Sequence, residues 1–520
     1  MRISETARKL LIAGCYMVFF GFAFFLLFYH LDNHLLWEDE AETAVLAKNI
    51  VQFGVPRTFD GTNYIVLHGA IDETPNHIWI WSPWLQEYVT ATSFSLFGPT
   101  TWAARAPFAL FGCCSLVLLA RVAFKIYRSH WIALSSALLL GTSEVFLLHA
   151  RQCRYYSISI FAEILLMYGI HQLCAKKRDG VWLAALALIL QFYSNYIIAV
   201  ANIPALFVLA WLLCKQGKTA MLQVLAVLAM FLAAAAPWLG YAHPWGQGKM
   251  VGAENYFSKA LWYLEEFHFH FIPLCFLLLP LIGWTICRSW QPTVTDIQRL
   301  MERFLICLLP LYLVTILIAP GGFLRYLLPT LPVACLLTAV WVFRYSRRKA
   351  LPVLVILIQS VCNLFAILTA FPSQENPGLK FPVVEYMEGI SGTYTDRLAD
   401  VVGFFKTHAR HSESILSYDS EFPLIFYTQI EVINGSIMAL PAGQLPDWFL
   451  PSSPSCPIAR TTVTLPESLK FRYQIITIPV HDSIRGDSIP EPDIYQYHSS
   501  KTLVPFIIYK LNTSTNGHGL

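Results

Sequence analysis

The sequence predicts a polytopic α-helical membrane protein with a small α/β domain outside the membrane, and three observations carry that prediction. The first is composition. Of 520 residues 56% are hydrophobic and only 13% charged, against about a quarter charged in soluble domains. The second is the recurrence of apolar segments of about 15–22 residues, long enough to cross a hydrocarbon core of about 30 Å. The third is that Lys and Arg gather on alternate loops, the signature of a fixed orientation in a membrane. The net charge of +3 is small and forms no basic stripe, so no nucleic-acid partner is expected.

About eleven spans follow from the apolar runs: 10–29, 106–124, 131–148, 156–174, 181–192, 197–214, 221–241, 271–287, 304–318, 326–343 and 351–370. The fifth and sixth are short and adjoining, which leaves a re-entrant pair open. Arg121, Lys125 and Arg128, then Lys176, Lys177 and Arg178, then Arg344, Arg347, Arg348 and Lys349 mark cytoplasmic loops. The N-terminus is then cytoplasmic, and with an odd number of spans residues 372–520 lie outside, extracytoplasmic or periplasmic, in a cell inner membrane. The first span is long, aromatic and without a small-residue cleavage site, so it reads as a retained anchor. The twelve Cys fall mostly within apolar spans, and Cys456 stands alone in the tail, so neither a disulfide framework nor a zinc pattern emerges.

Residues 1–370 therefore form a transmembrane domain with a large first outer loop at 31–105, and residues 371–520 a separate outer domain. After Asp39, the residues Thr43, Leu46, Ala47 and Ile50 recur at helical spacing with Glu42, Asn49 and Gln52 opposite. This predicts an amphipathic helix lying on the membrane, stopped by Gly54-Val55-Pro56. A second, aromatic helix is expected near 77–97 and another surface helix at 259–269. The tail alternates strand-like runs (414–418, 474–480, 503–509) with a helical stretch at 394–408 and Pro-rich spacers at 441–457, a small α/β arrangement.

Four polar clusters could carry chemistry. Glu38-Asp39-Glu40 follows the first span, and three adjacent carboxylates raise one another's pKa. They could bind a cation, act as a general base, or cap the helix, with Asp39-x-x-Glu42 spaced as a capping box. The segment from His149 to Tyr156 holds Arg151, Arg154 and Tyr155, which read equally as interface anchors. Arg325 and Tyr326 follow Gly321-Gly322. His268 and His270 alternate with Phe and would not share a helix face, which argues against a two-His metal site. Glu144 lies within the third span with Arg151 two turns further on. Asp72-Glu73 with His68 and His77 reads as a polar loop or a cation site. Ionisable residues at membrane depth usually mark function. Carboxylates facing arginines suit a reaction in which a carboxylate takes a proton from an acceptor hydroxyl while cations hold a departing phosphate.

The order of a short inner tail, one span, an acidic pair, a helix, and an aromatic helix ending in Leu96-Phe97-Gly98 resembles the membrane-embedded GT-C glycosyltransferases. It is similar in particular to the branch of protein O-mannosyltransferases and the aminoarabinose lipid A transferase. Asp39-Glu40, Pro83, Leu85, Arg151-x-x-Arg154-Tyr155-Tyr156 and Arg325-Tyr326-x-x-Pro329-x-x-Pro332 carry the likeness, over roughly residues 1–370. The resemblance implies inverting transfer of a sugar from a polyprenyl-phosphate donor to a glycan, lipid or protein acceptor on the outer face. It makes Asp39 the base and Glu40 its neighbour. The aminoarabinose branch has a Glu-Lys pair for metal and phosphate where this chain has Trp81-Ser82. Phosphate binding then passes to Arg151, Arg154, Tyr155, Arg325 and Tyr326, no cofactor is firmly implied, and a divalent metal ion is left open. The rival readings are a transporter or flippase of lipid-linked sugars and a non-catalytic envelope receptor or scaffold.

Overall fold

A computed structural model of the chain describes residues 4–66, 71–214, 218–245, 255–279, 294–319, 322–346, 348–369, 378–392, 396–418, 420–435, 445–451, 465–481 and 502–512. The main helices, in chain order, begin with α1 (Glu5–Phe28), α2 (Glu38–Phe53), α3 (Leu85–Phe97), α4 (Thr101–Tyr127), α5 (His130–Gly141) and α6 (Glu144–Ala150). They continue with α7 (Tyr156–Cys174), α8 (Asp179–Ser194), α9 (Tyr196–Cys214), α10 (Lys218–Ala242), α11 (Tyr256–Glu266) and α12 (Asp296–Ile316). The last four are α13 (Leu331–Arg344), α14 (Ala350–Val361), α15 (Arg397–His408) and α16 (Glu421–Thr428). The strands are β1 (Ser414–Ser417), β2 (Glu431–Asn434), β3 (Trp448–Leu450), β4 (Tyr473–His481) and β5 (Leu503–Leu511). Two compact units result: a helical unit of Met1–Tyr29 with Phe108–Met387, and a sheet-bearing unit of His30–Pro107 with Glu388–Leu520.

In the helical unit the spans form where apolar runs are long and caps are in place. Ser4 caps α1 by accepting the Ala7 N–H at 3.2 Å, and Met17 and Val18 of α1 are each 74% exposed, as lipid-facing residues must be. Among the described residues six helices are long and apolar enough to cross a membrane. They are α1, α4, α7, α9, α10 and the stretch Leu324–Arg344 that ends in α13; the bent pair α5 and α6 would add a seventh. The expected third span is broken by a 67° bend between α5 and α6, so Glu144 opens α6 rather than lying inside a straight helix. Arg151 is the residue that ends α6. Of the expected span at 271–287, residues 280–287 fall outside the described residues. Small residues let α7 and α8 approach closely: a Cβ on Gly169 would meet the Ala184 backbone nitrogen at 2.6 Å.

The sheet-bearing unit is built on a five-stranded mixed sheet of order β2-β1-β3-β5-β4. β1 pairs in parallel with β2 and β3, while β5 runs antiparallel to β3 and β4. The β1–α16–β2 crossover follows from two parallel strands needing a helix between them. Leu416, Phe449, Leu465, Tyr473 and Tyr509 form a core on the sheet. The predicted tail strands match β1, β4 and β5 within two residues.

The first outer loop packs within this unit. α2 lies against α3 and α16, and Glu40, Glu42 and Asn49 are buried together with Leu46, Ala47 and Ile50. The expected membrane-surface helix is therefore a helix buried on both faces. The reason is that its polar residues find protein partners, as where Asn49 donates to the Arg57 carbonyl at 2.7 Å. α3 starts at Leu85, later than expected, because the preceding residues form a loop pinned by Trp79 and Trp84 hydrogen bonds. In that loop Glu73 accepts from Thr58 and pairs with His77 at 3.0 Å, the polar-loop reading; His68 lies outside the described residues.

Candidate active site

The acidic cluster occupies the first turn of α2, where the helix dipole favours negative charge. The N-cap is Trp37, which has no side-chain oxygen to offer, and it makes no capping bond. Asp39 is thus the second helical residue, which corrects the capping-box expectation. The three carboxylates differ in their partners. Glu38 accepts the Phe422 N–H at 3.2 Å and so serves the start of α16. Glu40 is fully buried and accepts from Arg105 through both oxygens, at 2.8 and 2.6 Å. Arg105, 2% exposed, gives its remaining donors to the carbonyls of Leu31, His34 and Leu35. All five guanidinium N–H groups are then engaged, the condition under which burying an ion pair is tolerable. Asp39 between them is half-buried. The Leu36 N–H donates to the Tyr427 hydroxyl at 2.8 Å, and that hydroxyl also bonds Thr101 at 2.7 Å, which fixes the approach to α2. Burial pushes the Tyr427 hydroxyl up to about 12, so it stays protonated.

The cationic residues lie in the helical unit. Arg151 is buried and donates to the Leu26 carbonyl at 3.0 Å and the Tyr386 hydroxyl at 3.2 Å, while Tyr386 itself donates to Leu26 at 2.8 Å. It ties the end of α1 to the Tyr386 segment. Arg154 is half-buried with its guanidinium 6.0 Å from the Tyr155 ring, and Tyr155 immediately precedes α7 with its ring edge-on to Tyr156. Arg325 is half-buried over Phe323 at 4.1 Å, in a 3₁₀ turn (Leu324–Thr330) that packs on α6 and α7. Tyr326 in that turn is buried, and its carbonyl accepts from the Tyr312 hydroxyl at 3.1 Å. The turn bearing Arg325 thus packs on the two helices that flank Arg154.

The two histidines part company, as their spacing required. In the π-helical turn Phe267–Phe271, His268 bridges the Ala366 carbonyl and the Leu274 N–H. His270 faces Glu266 at 3.7 Å. Among the described residues no group of three or more His, Cys, Asp or Glu has the geometry to hold a metal ion.

Two arrangements escaped the sequence reading. One is the Arg105–Glu40 pair, since nothing local in the sequence ties two residues 65 positions apart. The other is a buried network in which Glu163 of α7 accepts from Gln191 of α8 at 2.7 Å and from Asn202 of α9 at 2.8 Å. Its signal was present in the sequence, as a Glu, a Gln and an Asn within three successive apolar helices.

Comparison with known proteins adds the family context. Residues 82–241 match the family described as dolichyl-phosphate-mannose-protein mannosyltransferase. Among solved structures, the fold is similar to that of ArnT from Cupriavidus metallidurans bound to undecaprenyl phosphate, with a TM-score of 0.56 and 15% identity, covering 83% of this chain and 86% of that one. The same protein in the apo state matches with a TM-score of 0.55 at 15% identity, over 81% and 86% of the two chains. No protein of curated function matches the sequence. The chain therefore has an ArnT-like fold, a multi-pass helical part and a small sheet-bearing part.

Proposed function

We propose that this protein is an integral-membrane glycosyltransferase that moves a sugar from a polyprenyl-phosphate donor to an acceptor hydroxyl on the outer face of the membrane. The observation that carries this reading is the ArnT-like fold over most of the chain, taken with the division of labour in the acidic cluster. Glu38 holds the start of α16 and Glu40 pairs with Arg105, while Asp39 is half-buried in the same first turn of α2 and is the carboxylate we assign as the base. Glu40 then positions Asp39 rather than sharing its task.

In the reaction the acceptor O–H gives its proton to Asp39 as its oxygen attacks the anomeric carbon. The new C–O bond forms on the face opposite the leaving group, so configuration inverts. The anomeric C–O bond to phosphate breaks, and its electron pair leaves with the polyprenyl phosphate. Arg154 and Arg325, the latter in a turn that packs on the helices flanking Arg154, are the cations assigned to that phosphate, with Tyr155 and Tyr326 next to them in sequence. Arg151 supports them by holding Leu26 and Tyr386. The donor's apolar tail accounts for chemistry at the membrane edge, since the isoprene stays in lipid while the phosphate meets the guanidinium groups.

The test is genetic complementation with mass spectrometry of envelope glycolipids and glycoproteins. Deletion should remove one sugar increment, and the wild-type gene should restore it. Asp39→Asn, expressed at equal abundance, should restore about a hundredth or less, because a general base contributes about 10²–10⁴-fold. Restoration by Asp39→Asn at the wild-type level would refute the base assignment.

A further inference from the structure

The sheet-bearing unit contains a cavity of about 390 Å³ that the proposed chemistry does not use. Ligand sites commonly enclose about 300–1,000 Å³. Its wall includes Lys48 and Gln52 from the last turns of α2, Asp60 from the following loop, Phe94 of α3 and Gln429 at the end of α16.

The side-chain amides of Gln52 and Gln429 make no hydrogen bond among the described residues. Asp60 uses one carboxylate oxygen to accept the N–H groups of Thr62 and Asn63, at 2.8 and 2.7 Å. The Lys48 ammonium lies 5.4 Å from the Phe426 ring centre and makes no ion pair among the described residues. Burial lowers its pKa, and the field of Asp60 works the other way. Gln429 adds a backbone observation. It ends α16 in the left-handed region, at φ 58° and ψ 26°, where glycine or asparagine is the usual choice. A long amide side chain held there, on the wall of a cavity, is strain at a place where a ligand would repay it.

One ammonium and one carboxylate leave the wall with no net charge. Amide donors and acceptors sit beside an aromatic ring. A saccharide presents the complement: each hydroxyl donates one hydrogen bond and accepts others, and its C–H face covers apolar surface. We propose that this cavity binds a saccharide, through Gln52, Gln429, Lys48 and Asp60, with Phe94 as the apolar contact. Its meaning as the acceptor's sugar portion rests on the glycosyltransferase reading, whereas the binding itself does not. Lys48 lies nine residues beyond Asp39 on α2, about 14 Å along the helix axis. A chain of sugars, not a single one, would reach both, so the acceptor class assigned is an oligosaccharide.

The experiment places p-benzoylphenylalanine at Val51, an exposed residue of the wall, in the full-length protein in its native membrane. After irradiation, adducts on the purified protein are weighed by mass spectrometry. Saccharide adducts are expected; adducts of lipid or peptide only, or none, overturn the proposal. Adding Gln429→Gly should leave melting unchanged or raise it, because the left-handed strain is relieved, while lowering saccharide adducts by about fivefold or more. Unchanged adduct yield would also overturn it. Adding Asp39→Asn separates the two readings. Adducts that persist with transfer lost support both. Adducts that persist with transfer intact sink the base assignment and leave the cavity standing, and transfer by the wild type without saccharide adducts sinks the cavity alone.

Discussion

Glu40 in the sheet-bearing unit and Glu163 in the helical unit are both shut away from solvent, yet their partners differ in kind. Glu40 meets a guanidinium whose every N–H is engaged. Glu163 meets two neutral amides, from Gln191 and Asn202, that also bond each other at 3.1 Å. An ion pair removes two charges from water and needs surrounding carbonyls to complete the guanidinium's bonds. The segment 31–35 supplies three of them. Within helical spans the backbone carbonyls are already used by the helices, so side-chain amides bring donors without a second charge to desolvate. The difference teaches that the local supply of unused backbone carbonyls decides which kind of partner a buried carboxyl group takes.

The largest expected effect comes from Arg105→Met, which leaves Glu40 buried without its cation and should cost about 3–5 kcal/mol. Thermal unfolding of the detergent-solubilised protein would show it as a large fall in melting temperature together with loss of transfer. A variant that melts like wild type would break the comparison, since the pair would then not be what makes Glu40's burial tolerable.

A third buried carboxyl group, Asp396, sharpens the comparison. It caps α15 by accepting the Ala399 N–H at 2.7 Å. Burial lifts its pKa from 3.8 to about 6; the Ala399 bond and the nearby His481 and Arg397 oppose the rise, and Asp400 adds to it. A carboxyl group with a raised folded pKa binds its proton more tightly folded than unfolded. Stability therefore falls as pH rises from about 4 to about 6, then levels off. Asp396→Asn keeps the capping oxygen and removes the charge. It should stabilise at pH 7 by at most about 3 kcal/mol, with the gain disappearing near pH 4. Melting curves from pH 4 to 8 check this, and a gain that does not depend on pH would contradict the assigned cause.

The smallest effect separates two substitutions at Glu163. Glu163→Leu strands the amide donors of Gln191 and Asn202 and should cost about 1–3 kcal/mol. Glu163→Gln keeps an acceptor oxygen and should melt close to wild type. If the two variants behave alike, the amides do not depend on that acceptor.

Much of this was legible beforehand because it is local. Apolar runs long enough for a bilayer marked α1, α4, α7, α9 and α10, and alternating tail segments marked β1, β4 and β5. The reading of α2 failed for an instructive reason. Its period of 3.6 was right, but a polar face predicts solvent only when no protein partner is waiting, and Asn49, Glu40 and Glu42 are all buried. The 67° break after α5 was missed although Gly141-Thr142-Ser143 stands at it, a glycine and a serine of the kind found where helices kink. At the site, the arginines could be named from their motifs, but nothing in the motifs showed that Arg151 is tied to Leu26 and Tyr386.

The sequence by itself determined that the chain crosses a membrane several times, where its acidic cluster and arginines lie along the chain, and that its C-terminal part is a small α/β domain. These depend on properties repeated over neighbouring residues, which add up along the chain. Only the tertiary structure decided which partners Glu38 and Glu40 take. Glu38 meets Phe422 from 384 positions away and Glu40 meets Arg105 from 65, and no local pattern encodes a hydrogen bond between residues so far apart.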